Sequence, residues 1–494
     1  MIWILIRKEI QESIVDFRFW LATVLCLLLI PLGVYVSLKD YEQRLESYQT
    51  SNQQYVHRSR GHVDADFQAE GYRAPSPLSV FARGLKDLLN LKVTTARDGN
   101  ARIESRLDNT NLQAILFGRI DFVYIVSTVL SILAFIFTFS SITSEKEMGT
   151  LRLILSNPIP RSNIIIAKII GTYLLFLVPF SLSLLISLLI LHTSSFFSLG
   201  SMDNLFAIPV MLTITLLFIL CIFCLGVLIS VLSRSSIVSI VVVLLIWVVW
   251  ALVIPKMGPM IAQITYPIQS RQVIDGQTRM VQENLQSELK TKINRLLVST
   301  MMGSGILNLK NFTPSGHFKL YVGQDEKKKI KEDFDQKKAV LEQEYEKRIN
   351  EATGKIENEY AKKRRIQTSI AMNLSRLSPI CCLTYAFSEL AGTGTCEIDS
   401  FTRKANQFQE LVQQEVYDNF QSIDMALMGK SMNIEGAKEG IDPNDIQVPE
   451  LPNYRHTTLG EAIQTCWVDI LLLVLFSALF FGGSFVKFLK YDAR

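Results

Sequence analysis

The stretch LFAIPVMLTITLLFILCIFCLGVLISVLSRSSIVSIVVVLLIWVVWALVI, residues Leu205 to Ile254, contains one charged residue, Arg234. A helix needs about 20 apolar residues to cross the hydrocarbon of a bilayer, because unpaired backbone amides are not tolerated there. The run exceeds twice that length, and Ser233-Arg234-Ser235-Ser236 interrupts it. It therefore reads as two membrane helices, Leu205 to Leu232 and Ile237 to Ile254, joined by a polar turn. Four more segments meet the same criterion: Phe19 to Val36, Phe122 to Ser140, Ile169 to Leu191 and Cys466 to Phe485. Composition agrees, since 49% of the 494 residues are hydrophobic and mean hydropathy is +0.26. That surplus belongs in lipid. The 50 Lys and Arg against 46 Asp and Glu leave a net charge of +4, too weak a field to recruit nucleic acid.

Positively charged flanks resist translocation, so short basic loops mark the cytoplasmic side. Arg7, Lys8 and Arg18 precede the first span, Arg152, Arg161 and Lys168 lie between the second and third, Arg234 follows the fourth, and Lys487, Lys490 and Arg494 follow the last. The link His192 to Asn204 carries no Lys or Arg. Both termini are expected inside. The charged segment Met1 to Arg18 does not look like a cleaved signal, so the first span is expected to stay. The chain divides into residues 1–18, a span at 19–36, a small outer domain at 37–120, four spans at 121–254, a large outer domain at 255–462, and a last span with its tail at 463–494. A cytoplasmic loop at 141–168 lies within the four-span segment.

In the small domain, Leu91-Lys92-Val93-Thr94-Thr95 reads as a strand, and Arg73-Ala74-Pro75-Ser76-Pro77 punctuates two halves. The large domain reads as mainly helical. Between Lys327 and Lys363, Ile330, Phe334, Leu341, Tyr345, Ile349, Ala352, Ile356 and Tyr360 recur at helical spacing among Glu and Lys; because the heptad register breaks, this reads as an amphipathic helix packed on its own domain in preference to an intermolecular coiled coil, with Val273 to Leu297 the candidate antiparallel partner. No regular structure is assigned to Gly392 to Tyr454.

The loop SEKEMGTLRLILSNPIPRSNIIIAK, Ser144 to Lys168, is the most informative polar stretch. Ser144 followed by Glu147 makes a capping box, and Asn157-Pro158 with Pro160 stops the helix it starts. Met148, Leu151, Ile154 and Leu155 form an apolar stripe, with Glu145, Lys146, Glu147 and Arg152 at its rim and Gly149 allowing close backbone approach. Such a helix either docks on a soluble partner or lies on the lipid surface. Ahead of the first span, Trp3, Ile6, Ile10, Ile14 and Phe17 make one face, opposite Arg7, Lys8, Glu9, Gln11 and Glu12; this reads as an interfacial helix, a membrane anchor or a contact for a cytoplasmic partner.

With its elbow helix near RKE, a second span followed by EKEMGTLRLILSNPIPR, and a lysine entering the third span, the chain resembles a type-2 ABC exporter permease. PSPLSVFARGL and LSRLSPICCLTYAFSELAGTGT narrow the resemblance to permeases with enlarged extracytoplasmic domains, associated with copper-enzyme maturation or sodium and drug export. The resemblance implies an all-α membrane protein of six transmembrane helices, with the elbow helix, a small mixed α/β outer domain and a larger helical one. It also implies a cell-membrane location, in bacteria the inner membrane, and two permease copies or related permeases served by two cytoplasmic ATPase subunits. Carried over by position, Glu145, Glu147, Gly149, Thr150, Arg152 and Arg161 sit at the ATPase interface, with Arg7, Lys8 and Glu9 on the elbow. ATP and Mg belong to the partner, and no cofactor is expected in this chain.

Gly429-Lys430-Ser431 is the only near match to a phosphate-binding loop, and Asp424 stands where a Gly is needed. The five histidines form no zinc pattern. Cys381, Cys382 and Cys396 lie in an exported segment, where a bridge from Cys381 or Cys382 to Cys396 would close a short loop; three free thiols is the equal alternative. Charges inside the spans are nearly absent, which argues against an ion-coupled carrier and suits amphiphilic cargo. Asp121 and Asp469 are expected to reach the outer interface. The rival reading is a non-transporting scaffold whose outer domains bind envelope proteins.

Overall fold

The apolar runs become helices because nothing else satisfies their backbone in lipid. The computed structural model describes residues 2–59, 69–84, 91–95, 101–105, 121–156, 159–194, 202–303, 324–412 and 458–491. In chain order these form α1 (Ile2–Val15) and α2 (Phe17–Ser59), then strands β1 (Ala69–Tyr72), β2 (Leu91–Thr95) and β3 (Ala101–Ser105). Next come α3 (Phe122–Glu147), α4 (Thr150–Ser156), α5 (Arg161–Thr193), α6 (Met202–Leu232) and α7 (Ser236–Thr265). The remainder is α8 (Arg271–Gly303), α9 (Gln324–Ser375), α10 (Pro379–Leu390), α11 (Thr395–Val412) and α12 (Leu459–Leu489). Among the described residues six helices, α2, α3, α5, α6, α7 and α12, are long and apolar enough to cross a membrane. These are the six spans expected. The first runs on as helix to Ser59, since no Gly or Pro lies between Ser37 and Ser59 to end it.

One compact unit comprises Met1–Pro255 and Ser375–Arg494. Its centre is α6, on which Phe218, Cys221, Ile222, Phe223 and Val227 are fully buried. On α12 the buried residues Ala462, Cys466, Asp469, Leu473, Ser477, Phe480, Ser484 and Phe488 recur every three or four positions, one helical stripe laid against α6. Apolar tails resemble lipid, so such contacts rest on close packing and small residues. Gly226 of α6 meets Thr138 of α3 so closely that a Cβ would overlap the hydroxyl. Edge-on aromatic pairs, Phe137 with Phe176 at 5.5 Å and Phe176 with Phe223 at 5.3 Å, fix α3, α5 and α6 to one another.

The strand expected at Leu91–Thr95 is present and is central in an antiparallel sheet of order β1-β2-β3, with Gly71 opposite Val93 and Val93 opposite Ile103. A helix that sequence reading did not assign, α11, packs on this sheet through buried Phe401, Ala405, Phe408 and Val412. Segments from both insertions therefore share one fold. Residues 413–457, including Gly429-Lys430-Ser431, lie outside the described residues.

The second unit, Lys256–Leu374, holds the helical hairpin. Arg271 of α8 pairs with Glu357 of α9 at 2.7 and 2.9 Å, and Tyr345 of α9 donates to Glu288 of α8 at 2.8 Å. The order of these partners makes the two helices antiparallel, with Val273 to Leu297 within the partner helix as expected.

Candidate functional site

The ends of the spans that converge near both chain termini are joined by polar contacts. Lys168, at the start of the apolar part of α5, donates to Glu9 of α1 at 3.0 Å and to Glu145 of α3 at 2.8 Å. All three side chains are largely buried. Burial of a charge is costly unless it is paired, so the lysine and two carboxylates hold three helices in one arrangement. Close approach makes this reachable: beside Gly171 of α5, a Cβ would come within 3.0 Å of Glu9 Cβ and 3.4 Å of the Ile6 carbonyl.

Lys146 reaches the last carbonyls of α6 and the turn after it, donating to Val231 O at 2.5 Å and Ser233 O at 3.0 Å. A cation at this position also complements the negative end of the helix dipole. Glu147 accepts from both the amide and the hydroxyl of Ser236, at 2.9 and 2.7 Å, and so caps α7. Ser230 accepts from the amides of Ile142 and Thr143. Arg18 donates to Ser140 at 2.5 Å, and Arg161 donates to the carbonyls of Leu489 and Tyr491. Every span meets at least one neighbour here.

The capping box expected at Ser144 does not form. The Ser144 hydroxyl donates back to Ser140 O at 2.8 Å inside a helix that continues, and Glu147 is engaged with Ser236. The chain breaks instead at Gly149, whose φ is +72°, and the short helix starts at Thr150. Nothing lies within 4 Å of where a Gly149 side chain would begin, so the residue serves the left-handed turn and makes no close contact within this chain. Gly149→Ala is expected to cost about 1–2 kcal/mol, the penalty for an L-residue in that conformation, and to lower the melting temperature of the purified protein. An unchanged melting temperature would mean that the turn relaxes freely.

Of the residues singled out in the sequence, Glu9, Glu145 and Glu147 thus join helices within the chain. Arg7 and Lys8 lie on exposed positions of α1, where Lys8 pairs with Glu12 at 3.4 Å. Met148, Thr150 and Arg152 are exposed around α4, while Leu151 is buried beneath it.

A family model described as ABC-2 family transporter protein matches residues 3–493. The chain belongs to this family. It is a multi-pass membrane protein and a transporter component. No curated protein matches the chain.

At the opposite end of this ABC-2 protein, Asp469 does not reach an open surface, whereas Asp121 is half-buried at the head of α3. Asp469 is 1% exposed and accepts from Arg376 Nε at 2.7 Å and Nη2 at 3.0 Å, a bidentate pair. Asp121 accepts from the amides of Tyr124 at 2.7 Å and Arg83 at 3.1 Å, which caps α3. The two sequence stretches that narrowed the resemblance come together here. Arg73 donates to Glu397 at 3.0 Å and to the Gly392 carbonyl at 2.6 Å, and Thr393 donates to Ala82 O at 3.1 Å. Glu389 accepts from the Thr395 hydroxyl and amide and from the Cys396 amide; burial raises its carboxyl above the usual range, and these hydrogen bonds oppose the shift.

Of the alternatives left open for the thiols, Cys381, Cys382 and Cys396 are all free, with Cys382 Sγ directed to the Arg376 carbonyl at 3.4 Å. Burial pushes the Cys381 thiol up to about 12. Among the described residues no group of three His, Cys, Asp or Glu side chains is placed to hold a metal. The signals for Asp469–Arg376 and Arg73–Glu397 were charged residues beside apolar runs, but pairing across more than 90 positions leaves no local pattern to find.

Proposed function

We propose that the chain is the permease subunit of an ATP-driven exporter, with hydrolysis performed by separate cytoplasmic ATPase subunits and the cargo an amphiphilic compound. The observation that carries this reading is α4, a short helix set by the Gly149 turn at the end of α3, exposing Met148 and Arg152 beside the Glu9–Lys168–Glu145 triad. Force applied to α4 reaches α3 directly, and through the triad it reaches α1 and α5. The basic residues Arg7, Lys8, Arg18, Arg161, Arg234, Lys487 and Lys490 fall at this end, which supports a cytoplasmic position for it and for both termini. In this account α1 is the elbow helix, with exposed Trp3 and Ile14 facing lipid, as does Phe17 at the start of α2. Exposed apolar faces on α7 and α12 face lipid and a second permease copy. ATPase closure tilts the spans and opens a path, while the outer segments gate it or dock an envelope protein.

The test is a mild-detergent pull-down of the tagged chain from its native membrane. An ATP-hydrolysing subunit should co-purify, and Met148→Asp with Arg152→Glu should reduce its recovery roughly tenfold, the loss expected when an apolar contact and a charge are both reversed at an interface. Recovery of envelope proteins without any ATPase would favour the scaffold.

A further inference from the structure

Three helix ends lie at the end of the fold near both termini: the C-termini of α6 and α12 and the N-terminus of α7. A helix leaves its last carbonyls and its first amides without partners of its own, and carries partial negative charge at the C-terminus and partial positive charge at the N-terminus. Each of these three ends is met by a side chain of the matching sign, and all three side chains flank α4. Lys146, just before the Gly149 turn, donates to the orphan carbonyls of Ser230 at 3.4 Å and Val231 at 2.5 Å, and to that of Ser233 beyond them. Glu147, beside it in sequence, accepts from the first amide of α7 and from the Ser236 hydroxyl. Arg161, which opens α5 on the far side of α4, donates to the carbonyls of Leu489 and Tyr491 at the end of α12, at 3.0 and 2.8 Å.

The order Lys146-Glu147 fits the α6–α7 turn, where a negative helix end is followed at once by a positive one. The Ser230 hydroxyl secures the same joint from the other side, accepting from the amides of Ile142 and Thr143. Tyr491 links the two grips: its carbonyl accepts from Arg161, and its ring lies 5.3 Å from the Lys146 ammonium. Because α6 and α12 pack along each other, both grips act on one pair of spans. Glu147 and Arg161, which the resemblance puts at an ATPase interface, therefore direct these hydrogen bonds inward.

We propose that Lys146, Glu147 and Arg161 clamp the loop carrying α4 to the α6–α7 turn and to the end of α12, so that a displacement of α4 carries α6, α7 and α12 with it. The three are positioning residues, acting through the helix ends they hold. The Glu9–Lys168–Glu145 triad joins α1, α3 and α5; the clamp reaches the spans that the triad does not touch. What drives the displacement rests on the permease reading above, whereas the clamp itself does not.

Amide hydrogen exchange reads the clamp at each helix end. The full-length protein, purified in lipid nanodiscs with any ATPase that accompanies it, is followed peptide by peptide by mass spectrometry. Lys146→Gln and Glu147→Gln should each speed exchange in residues 228–238 about tenfold, the effect of losing a hydrogen bond to a charged group, and Arg161→Gln should do so in residues 486–491 alone. Exchanging the two charges, Lys146→Glu with Glu147→Lys, keeps the net charge but opposes both helix ends, so residues 228–238 should exchange at least as fast as in either single variant. In the wild type, ATP with vanadate should alter exchange in both segments. Arg161→Gln should abolish that response in residues 486–491 and keep it in residues 228–238, and Arg161→Lys should restore most of it; a merely structural role would shift the baseline and leave the response. Wild-type protection in the charge-exchanged variant, or a full nucleotide response of residues 486–491 in Arg161→Gln, overturns the clamp. Local effects of the variants with no ATPase and no nucleotide response support the clamp and count against the permease reading.

Discussion

Lys168→Ala is expected to destabilise the detergent-solubilised protein by about 3–5 kcal/mol, because it removes the cation between two buried carboxylates and leaves both uncompensated. Glu9 and Glu145 each lie within 3.0 Å of its ammonium, and no described hydrogen bond supplies the second oxygen of Glu145. The triple variant Lys168→Met, Glu9→Gln, Glu145→Gln separates two explanations. If the triad matters for net stability, it too should unfold early. If it matters for fixing α1, α3 and α5 in one arrangement, the neutral triple variant should melt near wild type while ATP hydrolysis no longer drives transport. We expect the second result, since neutral replacements of a buried ionic cluster often cost little. Thermal unfolding followed by intrinsic fluorescence, together with transport in vesicles, reads both.

Gly226→Val should be nearly as damaging. A Cβ at position 226 would lie 2.7 Å from Thr138 Cβ and 3.4 Å from Phe135, and would overlap the Thr138 hydroxyl. That hydroxyl is already directed to the Ala134 carbonyl at 2.9 Å inside α3, so it has no free rotamer to retreat into without losing that bond. Two helices must separate to admit the side chain, which costs about 1–3 kcal/mol or more in a packed interior. Gly226→Val combined with Thr138→Ala, which removes the overlapping hydroxyl, should regain part of the loss. A melting temperature in the double variant equal to that of Gly226→Val alone would show that the crossing of α3 and α6 is not limited by this contact.

The spans were legible because lipid imposes a length and a polarity that few other structures need: Leu205–Ile254 alone forces two helices and a turn. The strand at Leu91–Thr95 and the antiparallel hairpin of α8 and α9 were legible for a different reason, composition and turn signals in the first and helical spacing of apolar residues in the second. The end near both termini was legible in residue type but not in contacts. Ser144 and Glu147 have the spacing of a capping box, yet α3 is already formed when the chain reaches them, so their side chains find other partners and Gly149 sets the break. Helix α11 was hidden by the Gly and Thr that precede it and by the polar run that follows, although Phe401, Ala405, Phe408 and Val412 keep helical spacing. The ion pairs at the opposite end join residues hundreds of positions apart in one case, Arg73 with Glu397, and no single-sequence pattern encodes such a partner.

The central claim is that an ATPase seats on α4. Met148→Cys, on a side chain that is 68% exposed, places a thiol at that surface, and a short bifunctional maleimide cross-linker applied to native membranes captures whatever lies against it. The account predicts a cross-linked product containing a subunit with a phosphate-binding loop, formed only when the reagent can enter the cytoplasm. A product that forms with a membrane-impermeant reagent added outside, or one that contains no ATP-hydrolysing subunit, would contradict it.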